Sequence, residues 1–85
     1  MNQVLLVGKI DRIDYDECVI YLRVKEVRNY GVDIIPVSCP REIIDGLNDD
    51  SNVIGIKGKV KMTDGLITIV LEKLTLISNT TQQYN

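Results

Sequence analysis

Residues 18–27, CVIYLRVKEV, place an apolar side chain at nearly every second position. That period belongs to an extended strand, whose successive side chains point to opposite faces. Ile20, Leu22 and Val24 fall on one face, and Val19, Tyr21, Arg23 and Lys25 on the other. The stretch reads as a half-buried strand with a wet, basic, tyrosine-bearing outer face.

Most of the chain follows the same rule. Residues 2–13, NQVLLVGKIDRI, open on a continuous apolar run and continue in alternation, rich in β-branched residues that favour a strand. Gly8 inside that run predicts a bulge or sharp bend. DYDE, residues 14–17, is a polar turn, and RNYG, residues 28–31, a turn in which glycine supplies permissive backbone. VDIIPVSC, residues 32–39, is a third strand. Pro36 has no N–H to give a ladder, so this strand lies at an edge or carries an irregularity there. Residues 53–63 and 66–77 are two further strands, the last bent midway, joined by the tight Asp-Gly turn of TDG, residues 63–65.

One segment breaks the period. In PREIIDGLNDDSN, Pro40 suits a first helical turn, Glu42 and Asp45 suit its early half, and Ile43, Ile44 and Leu47 share a side. A short helix is predicted over residues 40–47, weakened and ended near Gly46. The order is three strands, a short helix and two strands, the connectivity of an all-β, five-stranded OB-fold barrel. Other small α+β arrangements share that order. At 85 residues the chain is one small domain, residues 1–78, with a frayed polar tail over residues 79–85.

Composition narrows the function. There is no histidine, so neither a Ser-His nor a Cys-His pair is available, and no glycine-rich phosphate loop with the required spacing appears. An enzyme is not expected. Cys18 and Cys39 form no CxxC pair and read as small apolar residues; no metal or cofactor is expected, and free thiols suit a reducing cytoplasm. The apolar run of MNQVLLVGKI is too short for a secretory leader, and no run approaches the roughly 20 residues of a membrane span.

Charge carries the remaining signal. The formal net charge is -2, yet IGIKGKVKM, residues 54–62, sets Lys57, Lys59 and Lys61 on one face of one strand. Arg23 and Lys25 project from one face of the second strand, Arg28 follows in the turn, and Lys9 lies on the first strand. An acidic total therefore hides a basic stripe. A solvated antiparallel sheet shows the same alternation, and lysine also discourages edge pairing.

The chain resembles bacterial single-stranded-DNA-binding proteins in four pieces that occur in order. MNQVLLVGKI resembles their opening strand, DIIPVSCPREIIDGL their third strand and helix, SNVIGIKGKVKM the next strand and LEKLTLIS the closing one. The resemblance implies an OB-fold that binds single-stranded DNA without sequence preference, assembles as a homodimer or homotetramer, and has no catalytic residues. It implies an oligomer contact along the first strand, at Val4, Leu5, Leu6 and Val7. It implies ligand contact at Lys9, Tyr21, Arg23, Lys25, Arg28, Tyr30, Lys57, Lys59 and Lys61, with Tyr21 and Tyr30 as the stacking residues.

Two departures qualify this. The family's aromatic platforms correspond to Ile34 and Pro40, and its long hairpin between strands four and five is cut to TDG. NTTQQYN, residues 79–85, does not resemble the family's acidic tail with a hydrophobic tip. A second function therefore stands beside the first: an OB-fold interaction or assembly subunit of a replication complex that has lost DNA binding. Stacking and phosphate contacts serve RNA as well as DNA.

Overall fold

The computed structural model describes residues 2–25, 32–47 and 53–78. Along the chain come β1 (Gln3–Asp14), β2 (Val19–Lys25), β3 (Val32–Ser38), α1 (Arg41–Asp45), β4 (Val53–Thr63) and β5 (Leu66–Ser78). The strands close into a barrel in the order β1-β2-β3-β5-β4. Neighbours run antiparallel except β3 and β5, which run parallel where Val37 faces Ile69 and Ser38 faces Val70. This is the OB-fold that the strand order predicts, with its one short helix between β3 and β4.

The barrel closes because β1 serves two neighbours. From Gln3 to Lys9 it pairs with β4, and from Lys9 to Asp14 with β2. Gly8 sits at the changeover. A Cβ there would be driven into the carbonyl oxygen of Arg23 and would come within 3.3 Å of the Leu22 side chain. The bulge expected at Gly8 lies three residues on, where the register slips between Ile10 and Arg12 and leaves Asp11 unpaired. Gly8 is the corner where backbones approach; Asp11 is the bulge.

The inward rows are apolar, as the alternation requires. Ile20, Leu22, Val37, Ile44, Ile54 and Ile56 are almost completely buried, and no polar or charged side chain among the described residues is buried with them. Helix α1 contributes Ile44 to this core, with Leu47 packed beside it. Pro40 stands at the N-cap rather than inside the first turn, and Gly46 caps the C-terminus. At Pro36 the strand β3 has a ladder neighbour on one side only among the described residues, since its contact with β5 begins at Val37.

The β1–β2 turn is fixed locally. The Asp14 carboxylate accepts the N–H groups of Asp16 and Glu17 at 3.1 and 3.0 Å, and Arg41 of α1 donates to the Tyr15 carbonyl at 2.7 Å. At the other end, Asp64 and Gly65 both take positive φ in the two-residue turn between β4 and β5. The turn is as short as TDG implies, but its strands run past the barrel. Ladder pairing of β1 with β4 stops at Lys59, beyond which the pairs from Lys61–Thr68 to Thr63–Leu66 form a two-stranded arm. Met62, Leu66 and Ile67 are exposed on it.

Candidate nucleic-acid interface

Two ladders place the side chains of the β1–β2–β3 outer face. Lys9 pairs with Arg23, and Arg23 with Ile34. The next outward row is Arg12, Tyr21 and Pro36. Lys9, Tyr21 and Arg23 therefore come together as the sequence predicts, with Ile34, 43% exposed, at the position where the resembled family carries an aromatic. Arg23 is partly engaged: its Nη2 and Nε donate to Asp11 Oδ1 at 2.8 and 3.3 Å. The pair is exposed on the arginine side and contributes roughly 0–1 kcal/mol, so it shares the guanidinium without withdrawing it.

The three lysines of β4 lie elsewhere. Lys57 pairs with Leu5 on one side and Lys73 on the other, and Lys59 with Gln3 and Val70. These rows occupy the β1–β4–β5 outer face. Along β1, Leu5 is four residues from Lys9, about 13 Å of strand, so the expected stripe is two patches joined by β1. Lys59 Nζ lies 3.7 Å from Glu72 Oε2. Lys61 pairs with Thr68 on the projecting arm.

The lysine patch has an apolar neighbour. Leu5 and Val7 are 77% and 56% exposed, and Ile77 lies over Gly55, whose missing side chain leaves room for it. Leu5, Val7, Gly55, Lys57, Lys73 and Thr75 line a shallow groove of about 350 Å³. Val4 and Leu6, expected with Leu5 and Val7 at the oligomer contact, point inward and are half-buried. From Gln3 to Gly8 the edge of β1 away from β4 carries no ladder partner among the described residues.

Sequence reasoning missed Arg12 and Lys73, and one signal marks both. Inward apolar residues normally recur every two positions. Here Ile10 and Ile13, and again Leu71 and Leu74, are three apart. Each gap is a register slip, at Asp11 and at Glu72, and each turns a basic residue out of the barrel. Lys25 belongs to β2 by its backbone. Arg28, Tyr30 and the tail over residues 79–85 lie outside the described residues.

No family model and no curated protein sequence matches the chain. Solved structures share its fold at low identity. The dimeric N-terminal domain of the PriB protein from Thermoanaerobacter tencongensis is 19% identical, over 92% of this chain and 98% of that one, with a TM-score of 0.67. A mitochondrial single-stranded DNA binding protein from S. cerevisiae is 9% identical, over 93% and 97%, with a TM-score of 0.74. An OBody bound to hen egg-white lysozyme is 16% identical, over 94% and 98%, with a TM-score of 0.61. At these identities the likeness is one of fold: an OB-fold barrel shared over nearly the full length of each chain.

Proposed function

We propose that the chain binds single-stranded DNA without reading its sequence, in replication, recombination or repair, and acts by binding alone. The observation that carries this is the shared outer face of β1–β2–β3: Lys9 and Arg23 in one row and Tyr21 in the next stand together on the barrel face that OB-folds use for oligonucleotides. A cationic groove with stacking surfaces is what such a ligand demands. Lys57, Lys59 and Lys61 extend the phosphate track around β1, and Lys25, Arg28 and Tyr30 complete the set proposed from the sequence. The same chemistry accepts single-stranded RNA.

Self-association is part of the proposal. The edge of β1 over residues 3–8, unpaired among the described residues, offers a second copy ladder partners along Val4, Leu5, Leu6 and Val7, with the side chains of Leu5 and Val7 exposed beside it. Pairing along that edge leaves the outward lysines accessible. Free thiols at Cys18 and Cys39 suit a reducing, cytoplasmic setting.

With Tyr21 and Tyr30 as the only stacking residues proposed, each worth about 1–3 kcal/mol, phosphate contacts supply most of the affinity and binding is steeply salt-dependent. The test is titration of a fluorescent thymine oligomer of about 30 nucleotides, at low and moderate salt, against duplex of equal length. Saturable single-strand binding that weakens with salt is expected. No binding at low salt overturns the proposal in favour of an assembly subunit that has kept the barrel and lost the ligand.

A further inference from the structure

Arg12 has no part in the binding set proposed above, yet it occupies the middle of that face. The slip at Asp11 turns it outward and sets it opposite Tyr21. Its guanidinium carbon lies 3.8 Å from the Tyr21 ring centroid, so the cation covers the ring. Arg12 is exposed and Tyr21 half-buried, which makes the guanidinium the outer layer of the stack. Among the described residues no carboxylate pairs with Arg12 and no side-chain or backbone oxygen accepts from it, whereas neighbouring Arg23 is held by Asp11.

We propose that Arg12 is itself a nucleic-acid contact. Arg12 and Tyr21 form one platform whose outer guanidinium plane stacks a base and whose edge donates to a phosphate oxygen. This rests on the single-strand-binding reading and assigns it a residue and a geometry. Three properties support it. A guanidinium is planar and weakly hydrated, and it stacks on bases as well as on aromatic rings. Its donors form a fork that fits phosphate oxygens. Lying on the ring, the side chain has little freedom left to lose when ligand arrives. Where the resembled family offers an aromatic at Ile34, this chain offers a cation already set over a tyrosine ring one row away.

The competing arrangement is that Arg12 merely shields Tyr21, so that a base must push it aside. The two differ in the sign of one substitution. If Arg12 is a shield, Arg12→Ala frees the ring and binding tightens. If it is the platform, Arg12→Ala removes a stacked layer and a phosphate donor.

The experiment is titration of the labelled thymine oligomer with the parent chain, Arg12→Ala and Arg12→Lys at two salt concentrations, with circular dichroism confirming that each is folded. Arg12→Ala is expected to weaken binding about tenfold, near the low side of one stacked base. Arg12→Lys is expected to restore the salt dependence without the affinity, because lysine keeps the charge and lacks the plane. Unchanged or tighter binding by Arg12→Ala overturns the inference while the binding reading stands. Full recovery of affinity by Arg12→Lys overturns the stacked platform, since a point charge then suffices. A parent chain that binds no single strand overturns the binding reading and the inference with it.

Discussion

Replacing Lys57, Lys59 and Lys61 together by Gln asks whether the β4 row is a phosphate track or a solvated sheet face. Each single-strand phosphate contact adds about 0.7 to the slope of log affinity against log salt. Three contacts give a slope change of about 2, hence a roughly 20-fold difference in affinity loss between 50 and 200 mM salt. The structure lowers that figure. Lys59 is shared with Glu72, so a phosphate there competes with a carboxylate already 3.7 Å away. Counting Lys57 and Lys61 alone gives a slope change of about 1.4 and a roughly sevenfold difference. The expected result lies between these two. Folding is preserved, because all three lysines are exposed. The variant holds or slightly gains stability, since Lys57 stands opposite Lys73 and like charges in that position cost about 0.2–1 kcal/mol. Fluorescence titration across the salt range reads the slope directly. A triple variant with the parent's slope and affinity, in a parent that binds, refutes the track and leaves β4 as a solvated face.

Three other variants probe the fold and the assembly. Gly8→Ala forces β2 away from β1 at the barrel corner and is expected to cost about 3 kcal/mol or more in a domain of about 4–13 kcal/mol; an unchanged urea midpoint by circular dichroism contradicts this. Leu5→Asp combined with Val7→Asp places charge beside the free edge of β1 and is expected to yield monomer by light scattering, with the barrel intact because both side chains point outward; a parent that is already monomeric removes the basis for this. Burial pushes the Cys39 thiol up to about 11 from 9.0. The folded state thus holds its proton more tightly than the unfolded one, so this contribution is complete below pH 9 and is lost as pH rises to 11, amounting to about 2–3 kcal/mol. Cys39→Ala should lose stability below pH 9, where the thiol is protonated in both states, and show a flatter alkaline limb in urea titrations; equal slopes would show that other groups set that limb.

The strands were legible because each buries one face. Ile20, Leu22 and Val24 identify β2 without help from any neighbour, and the Asp-Gly turn fixes the register of β4 against β5. The helix was legible through Ile44 and Leu47, although its start was read inside Pro40, which caps it instead. Two things were not legible. Alternation assigns a residue to a face but does not say which faces adjoin, so the tyrosine-bearing row and the lysine row read as one stripe. They part because β1 changes neighbours at Lys9. The other was the pair of register slips at Asp11 and Glu72. A bulge inverts the alternation locally, and a reading that carries the period straight through sends Arg12 and Lys73 into the core. Only the three-residue spacing of Ile10 with Ile13, and of Leu71 with Leu74, reveals the inversion.

The placement of charge bears on how a ligand arrives as well as on how it stays. On the basic rows, which span the two outer faces and the arm that extends one of them, seven cations (Lys9, Arg12, Arg23, Lys57, Lys59, Lys61 and Lys73) stand with two acids, Asp11 and Glu72, a net of +5. The chain totals -2, so the rest of it carries -7. Salt decides which part an approaching strand feels. At about 0.01 M the Debye length is roughly 30 Å, comparable with the 49 × 34 × 23 Å molecule, and the acidic remainder cancels the rows at a distance. At about 0.1 M it is roughly 10 Å, and a strand near the rows feels them alone. A basic protein gains association rate steadily as salt falls; this one should not. Its salt dependence should reside in the dissociation rate, where contact is already made and each released phosphate recovers its counterion. Stopped-flow mixing with the labelled oligomer separates the two rates. An association rate that rises steeply toward low salt would mean that the distant acids are not felt, and the separation of charge drawn from the basic rows would be wrong.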